Sequence, residues 1–304
     1  MEKTSCILAI DQSTSGTKAL LFDAGGRLVH RCDRAHRQII NDQGWVEHDG
    51  EEIYQNTLAA VGELLEKTGI DPRRVVAAGI SNQRETGIIW DRRGHPLYHA
   101  VVWQCARGAA LCDELEKQGL GPAIRAKTGL RLSPYFTAAK LDWLIRNVPA
   151  IRSAAQAGTM MAGTMDSWLL YRLTGRFRTD YSNASRTQLF NIHTLRWDKE
   201  LCDWFQVPLG ALPEVCDSNS LFGLSTFEGL FPQAIPIHCV LGDSHAALFA
   251  QGCTRPGLGK ATYGTGSSVM INVGKTPVES DALVTSLAWG MDGRVDYVLE
   301  GNIN

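Results

Sequence analysis

In the stretch IPIHCVLGDSHAALF, an apolar run climbs to Gly242, meets a single acid at Asp243 and then turns helical. A carboxylate at the tip of a buried strand is costly unless something there uses its charge. Asp243 could accept the proton of an attacking hydroxyl during phosphoryl transfer. It could equally cap a helix beginning at Ser244, because aspartate is among the best N-cap residues. Asp11 raises the same question at the end of the first apolar run, where it is placed to hold Mg²⁺ through water. Beyond it, Ser13, Thr14, Ser15, Gly16 and Thr17 offer backbone N–H groups and hydroxyls, with Lys18 following. Such a turn can cradle phosphate oxygens, since N–H dipoles and a cation both favour an anion. The plainer alternative is a solvated Gly-Ser-Thr hairpin.

Arg84 and Glu85 stand together at another strand end, in SNQRETGIIWD. They could pair with each other on the surface, or grip vicinal hydroxyls, with Arg donating and Glu accepting. Trp103 ends the run AVVW and Tyr135 opens SPYFTAAKLDWLI. Each is either a core aromatic or the wall of a polyol pocket, one face for carbon and one phenol for a hydroxyl. A second small, hydroxyl-rich turn, YGTGSS (Tyr263–Ser268), echoes the first and hints at two related halves around one cleft.

The elements that would carry these groups alternate. CILAI and KALLFD read as strands flanking the first turn, and LVHRC follows across AGGR. Asp49 and Glu52 have capping-box spacing, and Ile53, Val61, Leu64 and Leu65 continue a helical stripe to Gly69. RVVAAGIS, TGIIWD and HAVVW read as strands. Helices are expected over about 107–117 and from Pro134, with proline at the first helical position, to about 148. DSWLLYRL is helical, HCVLG a strand, SHAALFAQG a helix, and KATYGTGSSVMINV a strand-turn-strand. The fold class is therefore α/β with a mixed sheet.

Several classes of function lack support. Lys and Arg total 30 against 32 Asp and Glu, a net charge of -2, which argues against an electrostatically driven nucleic-acid or membrane binder. No apolar run has the length of a signal peptide or a membrane span, which favours the cytoplasm. The eight cysteines are scattered without CxxC, so neither a disulfide framework nor a zinc site is indicated. The HPLYH pair contains Pro96 and reads as a loop. The segment before GKT has Val269 where a Walker A loop needs glycine, and no GxGxxG follows a strand.

Taken together, AIDQSTSGTKALLFD, GWVEHD, NQRET, VVWQCARG, TGLRLSPYFTAAKLDWLI, TDYSNASRTQLFNIHTLRWD, GDSHAALFAQ and TYGTGSSVMIN resemble, in order and along nearly the whole chain, the FGGY carbohydrate kinases, and within them the glycerol-type branch. The resemblance implies an actin-like, ribonuclease-H-like ATPase fold. It implies a substrate-binding domain over 1–250 and the start of a nucleotide-binding domain over 251–304. On that likeness, Asp11 would organise Mg²⁺. Thr14, Ser15 and Lys18 would contact ATP phosphates, with Gly264 and Thr265 opposite. Arg84, Glu85, Trp103 and Tyr135 would form the polyol pocket and Asp243 would be the base. A homodimer is the state expected at full length.

Three positions depart from the glycerol-type pattern: Lys18 stands for an arginine, Ser244 for a glutamine and Ser268 for an aromatic. The last would enlarge and polarise the pocket, which suits a longer polyol or a keto-sugar, while Arg84-Glu85 is the glycerol-type pair. The family's later glycine-rich segment, which holds adenosine, does not occur before Asn304. The expectation is thus the N-terminal portion of a longer enzyme, with a substrate-binding module lacking transfer activity as the rival.

Overall fold

The computed structural model describes residues 5–263 and 267–303. Three antiparallel strands open the chain: Cys6–Gln12, Gly16–Asp23 and Leu28–Ala35. Alternation along them turns Leu8, Ile10, Ala19 and Leu21 into the core. Helix Gly50–Thr68 covers that face with Ile53, Tyr54, Ala60, Val61 and Leu64. Asp49 caps it by accepting from the Glu51 and Glu52 amides. The reciprocal half of the expected capping box is missing, because the Glu52 carboxylate accepts from Arg37 instead. Gly69 closes the helix at φ 59°, a left-handed position that glycine occupies without strain.

Strand Val75–Asn82 then enters parallel to Cys6–Gln12, and strand Ile235–Gly242 lies parallel to Val75–Asn82 on its other side. Short strand Gly223–Ser225 pairs antiparallel to Ile235–Gly242 and ends the six-stranded sheet. Three strands of a meander followed by two parallel partners is the ribonuclease-H-like order expected from the resemblance. The register is what positions the chemistry. Gln12, Asn82 and Gly242 are aligned across the three parallel strands. Asp11, Arg84, Glu85 and Asp243 therefore emerge at one edge, where parallel α/β sheets carry their sites.

A five-stranded antiparallel sheet follows, including Gly87–Trp90, Ala100–Val101 and Met161–Thr164. Helix Thr137–Asn147 packs against it through Leu141, Leu144 and Ile145. This helix corrects the expected start at Pro134. Pro134, Tyr135 and Phe136 form a turn whose carbonyls all accept from the buried Lys140 Nζ, at 2.8 Å for Pro134 and 3.0 Å for Phe136. Trp103 likewise lies beyond the two paired residues of its strand, in a turn.

A third, four-stranded antiparallel sheet holds Gly259–Thr262, Ser267–Gly274, Arg294–Ile303 and Val284–Met291. It is tied to the preceding chain by Thr285 N to Gly129 O (3.0 Å), Leu287 N to Ser185 Oγ (3.1 Å) and Ser218 N to Gly290 O (2.7 Å). Leu287 and Tyr297 share a cluster with Ala184, Phe190 and Ile192. All eight cysteines are free thiols.

Candidate active site

Asp243 is the first residue of helix Asp243–Ala250, and Gly242 holds the N-cap position. This corrects the cap reading: among the described residues its Oδ1 accepts a hydrogen bond only from the adjacent Ser244 amide, at 2.6 Å. The carboxylate instead faces Arg84, whose Nε lies 3.4 Å from Oδ1. Burial raises the Asp243 pKa while the Arg84 charge pulls it back down. The side chain keeps 42% of its surface open, whereas Glu85 and Glu300 keep 2% and 1%, so Asp243 is the acid of this group that a ligand can reach.

Arg84 and Glu85 are buried, which overturns the surface-pair reading, and each is paired elsewhere. Arg84 donates from Nη1 and Nη2 to the two oxygens of Glu300, at 2.9 and 2.8 Å. Glu85, at φ 60°, accepts from Arg186 Nε at 2.5 Å, and Arg186 Nη1 lies 2.9 Å from Glu300. Glu85 adopts a left-handed backbone, which a non-glycine residue holds only when its surroundings over-determine it. The chain Asp243–Arg84–Glu300–Arg186–Glu85 is thus continuous. Removing one member of such a buried set costs about 3–5 kcal/mol, because it leaves a charge without its partner. The paired guanidinium groups hold Glu300 well below the usual carboxylate range, despite the burial that opposes it. His245 is fully buried behind Asp243; burial and Arg84 keep it neutral, and neither ring nitrogen has a hydrogen-bonding partner among the described residues.

The aromatic wall stands beside this network. Trp103 and Tyr135 meet edge to face, with ring centres 5.6 Å apart, and both are half-buried rather than core. Lys140 fixes the turn that carries Tyr135, and Phe136 lies under the Arg186 guanidinium at 5.1 Å. The Trp103 indole donates to Thr14 Oγ1 at 2.9 Å, joining the wall directly to the first turn.

That turn is held from within by Ser13, whose amide and hydroxyl both donate to Gly16 O, at 2.9 and 2.8 Å. Gln83 Nε2 adds a bond to Gln12 Oε1 at 3.2 Å. Ser15 is exposed and Thr14 half-buried. Lys18 Nζ donates to Asp11 Oδ2 at 2.6 Å, and Ser81 Oγ donates to Oδ1 at 3.2 Å. The residue read as a metal holder and the residue read as a phosphate contact are therefore joined to each other. Gly264 and Thr265 lie outside the described residues. Of the other predicted site residues, the strand ends and the Trp103–Thr14 bond bring Asp11, Thr14, Lys18, Arg84, Glu85, Trp103, Tyr135 and Asp243 to one face. Arg186, Glu300 and Lys140 were not singled out from the sequence, although Glu300 stands in the apolar run YVLEG much as Asp243 stands in VLGD. A separate cavity of 630 Å³ bordered by Arg125, Arg131 and His193 contains none of these residues.

The sequence of residues 6–250 matches the N-terminal domain of the FGGY family of carbohydrate kinases. The chain belongs to that family. Among FGGY relatives, glycerol kinase 1 of Thermotoga maritima is 51% identical over 302 residues, covering 98% of this chain and 61% of its own. The Chromobacterium violaceum glycerol kinase is 48% identical, covering 98% of this chain and 60% of its own. The crystal structure of Plasmodium falciparum glycerol kinase with ADP superposes with a TM-score of 0.93 at 37% identity, over 99% of this chain and 61% of that one. The FGGY chain described here thus spans about three-fifths of the length of the relatives it matches.

Proposed function

We propose that this chain carries the polyol pocket, the base and the first phosphate turn of an ATP-dependent glycerol kinase. The reaction is direct transfer: a primary hydroxyl oxygen of glycerol bonds to the γ-phosphorus, the bond from that phosphorus to the β,γ-bridging oxygen breaks, and the hydroxyl proton passes to Asp243. Glycerol 3-phosphate and ADP result. The observation that carries the reading is the accessible Asp243 carboxylate, set beside buried Arg84 at the joint end of three parallel strands. Arg84 has N–H donors beyond the two that Glu300 takes, and these suit vicinal hydroxyls. Trp103 and Tyr135 would flank the carbon side, and Thr14 and Ser15 would face the phosphates with Gly264 and Thr265. Positioning supplies most of the rate in such a transfer.

Asp11 suits Mg²⁺ of a particular kind. It is one carboxylate, with no cluster of three or more His, Cys, Asp or Glu able to hold a metal among the described residues. That fits an ion held largely by phosphates and water, as Mg²⁺ commonly is. Bound there with ATP, it would neutralise phosphate charge, with Lys18 released from Asp11 to face the anion.

Glycerol is favoured over a longer polyol by the glycerol-type Arg84-Glu85 pair, while Ser268, whose hydroxyl donates to Glu300 at 3.2 Å, is the residue that would suit a larger substrate. The full-length enzyme is read as a cytoplasmic homodimer, a reading that rests on the family resemblance and the near-balanced charge. No described helix is long and apolar enough to cross a membrane.

The test is Asp243→Asn in the full-length enzyme, assayed for ATP-dependent turnover beside its parent, with glycerol and ATP binding to the present chain followed by calorimetry. Turnover is expected to fall roughly a hundred- to ten-thousand-fold, with circular dichroism unchanged. Near-normal turnover in the variant would remove Asp243 from the base role. Glycerol binding by the present chain without ATP affinity would favour the binding-module rival.

A further inference from the structure

The network around Arg84 is closed by a residue from the far end of the chain. Glu300 belongs to strand Arg294–Ile303, outside the 6–250 segment that matches the family domain, and is separated from Arg84 by 216 positions. Its carboxylate is 1% exposed and receives two bonds from Arg84, one contact from Arg186 and one hydroxyl from Ser268. A ligand would therefore meet Arg84 and Asp243 rather than Glu300. The acid acts through the arginines it holds.

The geometry leaves little freedom. The Arg84 stem lies over Gly242, where a Cβ would meet its Cγ and Cδ at 2.7 Å. With the stem seated there and both terminal nitrogens turned to Glu300, Nε is the edge presented to Asp243, at 3.4 Å rather than in a tight bond. Arg186 is similarly divided between Glu300 and Glu85. Removal of the Glu300 charge would leave Arg84 with Asp243 as its nearest free acceptor, and the guanidinium would close on it as a forked ion pair. A base so engaged is poor at taking a proton, and the guanidinium is no longer free for hydroxyls.

We propose that Glu300 is a positioning residue for this site: it holds Arg84 away from Asp243 and Arg186 against Glu85, so that the polyol-gripping pair and the base stay separately available. This rests on the functional reading above. The surroundings of the base are Arg84, Glu85 and Asp11, with Lys260 also charged nearby, its Nζ donating to Thr262 Oγ1 at 2.8 Å. Neutralising Glu300 takes a bonded partner from Arg84, whereas Lys260 and the buried His245 lose only its field.

The test uses the whole chain with Glu300→Gln and Glu300→Asp, following glycerol affinity by calorimetry and the Asp243 carboxyl titration by ¹³C NMR. The Gln variant should bind glycerol at least about tenfold more weakly, and its Asp243 midpoint should move to lower pH. The Asp variant keeps the charge on a shorter stem and should recover part of both. Because loss of the Glu300 charge alone lowers the midpoint in Gln, the Asp variant is the deciding one: a merely structural role would lower its melting temperature without moving its Asp243 midpoint, and that result, or unchanged glycerol affinity in Gln, overturns the proposal. Should the Gln variant fail to fold, the Asp variant decides alone: a midpoint shift in the same direction supports the proposal and an unshifted one overturns it. Parent chain that binds no glycerol counts against the functional reading, while the Asp243 titration still judges Glu300.

Discussion

Acids at the ends of apolar runs were legible because each breaks a local pattern that physics disfavours. Asp11 and Asp243 fall in that class, and Arg84-Glu85 doubles the signal. Arg186 and Glu300 escaped because their importance lies in pairings 101 and 216 positions away, which no local window contains. Asp166 shows the same limit. It sits fully buried between two threonine hydroxyls, Thr164 and Thr179, each donating at 2.6 Å. Burial pushes its pKa up to about 7, against the pull of those hydroxyls and with the help of nearby Asp180. The folded chain then binds a proton that the unfolded chain releases above its own, lower pKa. The stabilisation is complete below about pH 4 and is lost as pH rises through about 7. Asp166→Asn should flatten that dependence. Urea unfolding at about pH 5 and about pH 8 should show the parent losing a few kcal/mol that the variant keeps. An identical pH slope in both proteins would mean that the buried carboxyl is not the source.

At the scale of elements, long periodic segments read correctly, as did the helix ends at Gly69, Lys117 and Val148, while the start expected at Pro134 did not. The helix expected from Pro134 begins at Thr137 because Lys140 draws three preceding carbonyls inward, a demand made by a residue inside the helix on the turn before it. The first residue of that helix also reports to the site, with Thr137 Oγ1 donating to Glu85 O at 3.2 Å. The Ile235–Gly242 strand carries the corresponding requirement at its own end. Gly242 is needed for space and not for conformation, since its φ of -58° suits any residue. Gly242→Ala would push the Arg84 stem, which Glu300 pins at its far end and which cannot swing clear. Overpacking of this kind costs about 1–3 kcal/mol. Chemical denaturation should show that loss, and glycerol calorimetry should show weakened binding; a variant with parental stability and affinity would mean that Arg84 has room to relax.

Across the whole molecule, the α/β class and the mixed sheet followed from alternating patterns, while the docking of the last sheet had no sequence signal. That docking is polar as well as apolar. Tyr297 donates its hydroxyl to Ile192 O at 2.7 Å from within a shared cluster, and Ser218 Oγ sits between Asp180, at 2.7 Å, and the Gly290 amide, at 3.2 Å. Strands Gly259–Thr262, Ser267–Gly274, Val284–Met291 and Arg294–Ile303 should therefore unfold together with the six-stranded sheet. Tyr297→Phe is expected to lower stability by about 1–2 kcal/mol while keeping one cooperative transition, followed by hydrogen exchange in strands Cys6–Gln12 and Arg294–Ile303. Separate transitions in the two strands would show that the sheets are energetically independent.

The bond from the Trp103 indole to the Thr14 hydroxyl has a thermodynamic corollary. An anion that draws the Thr14 hydroxyl to itself changes what holds the indole, and a guest resting on the indole changes what holds the hydroxyl. Linkage makes the two effects equal: whatever factor phosphate occupancy applies to polyol affinity, polyol occupancy must apply to phosphate affinity. On the proposed roles of Thr14 and Trp103, one hydrogen bond would thus make phosphate and polyol binding answerable to each other.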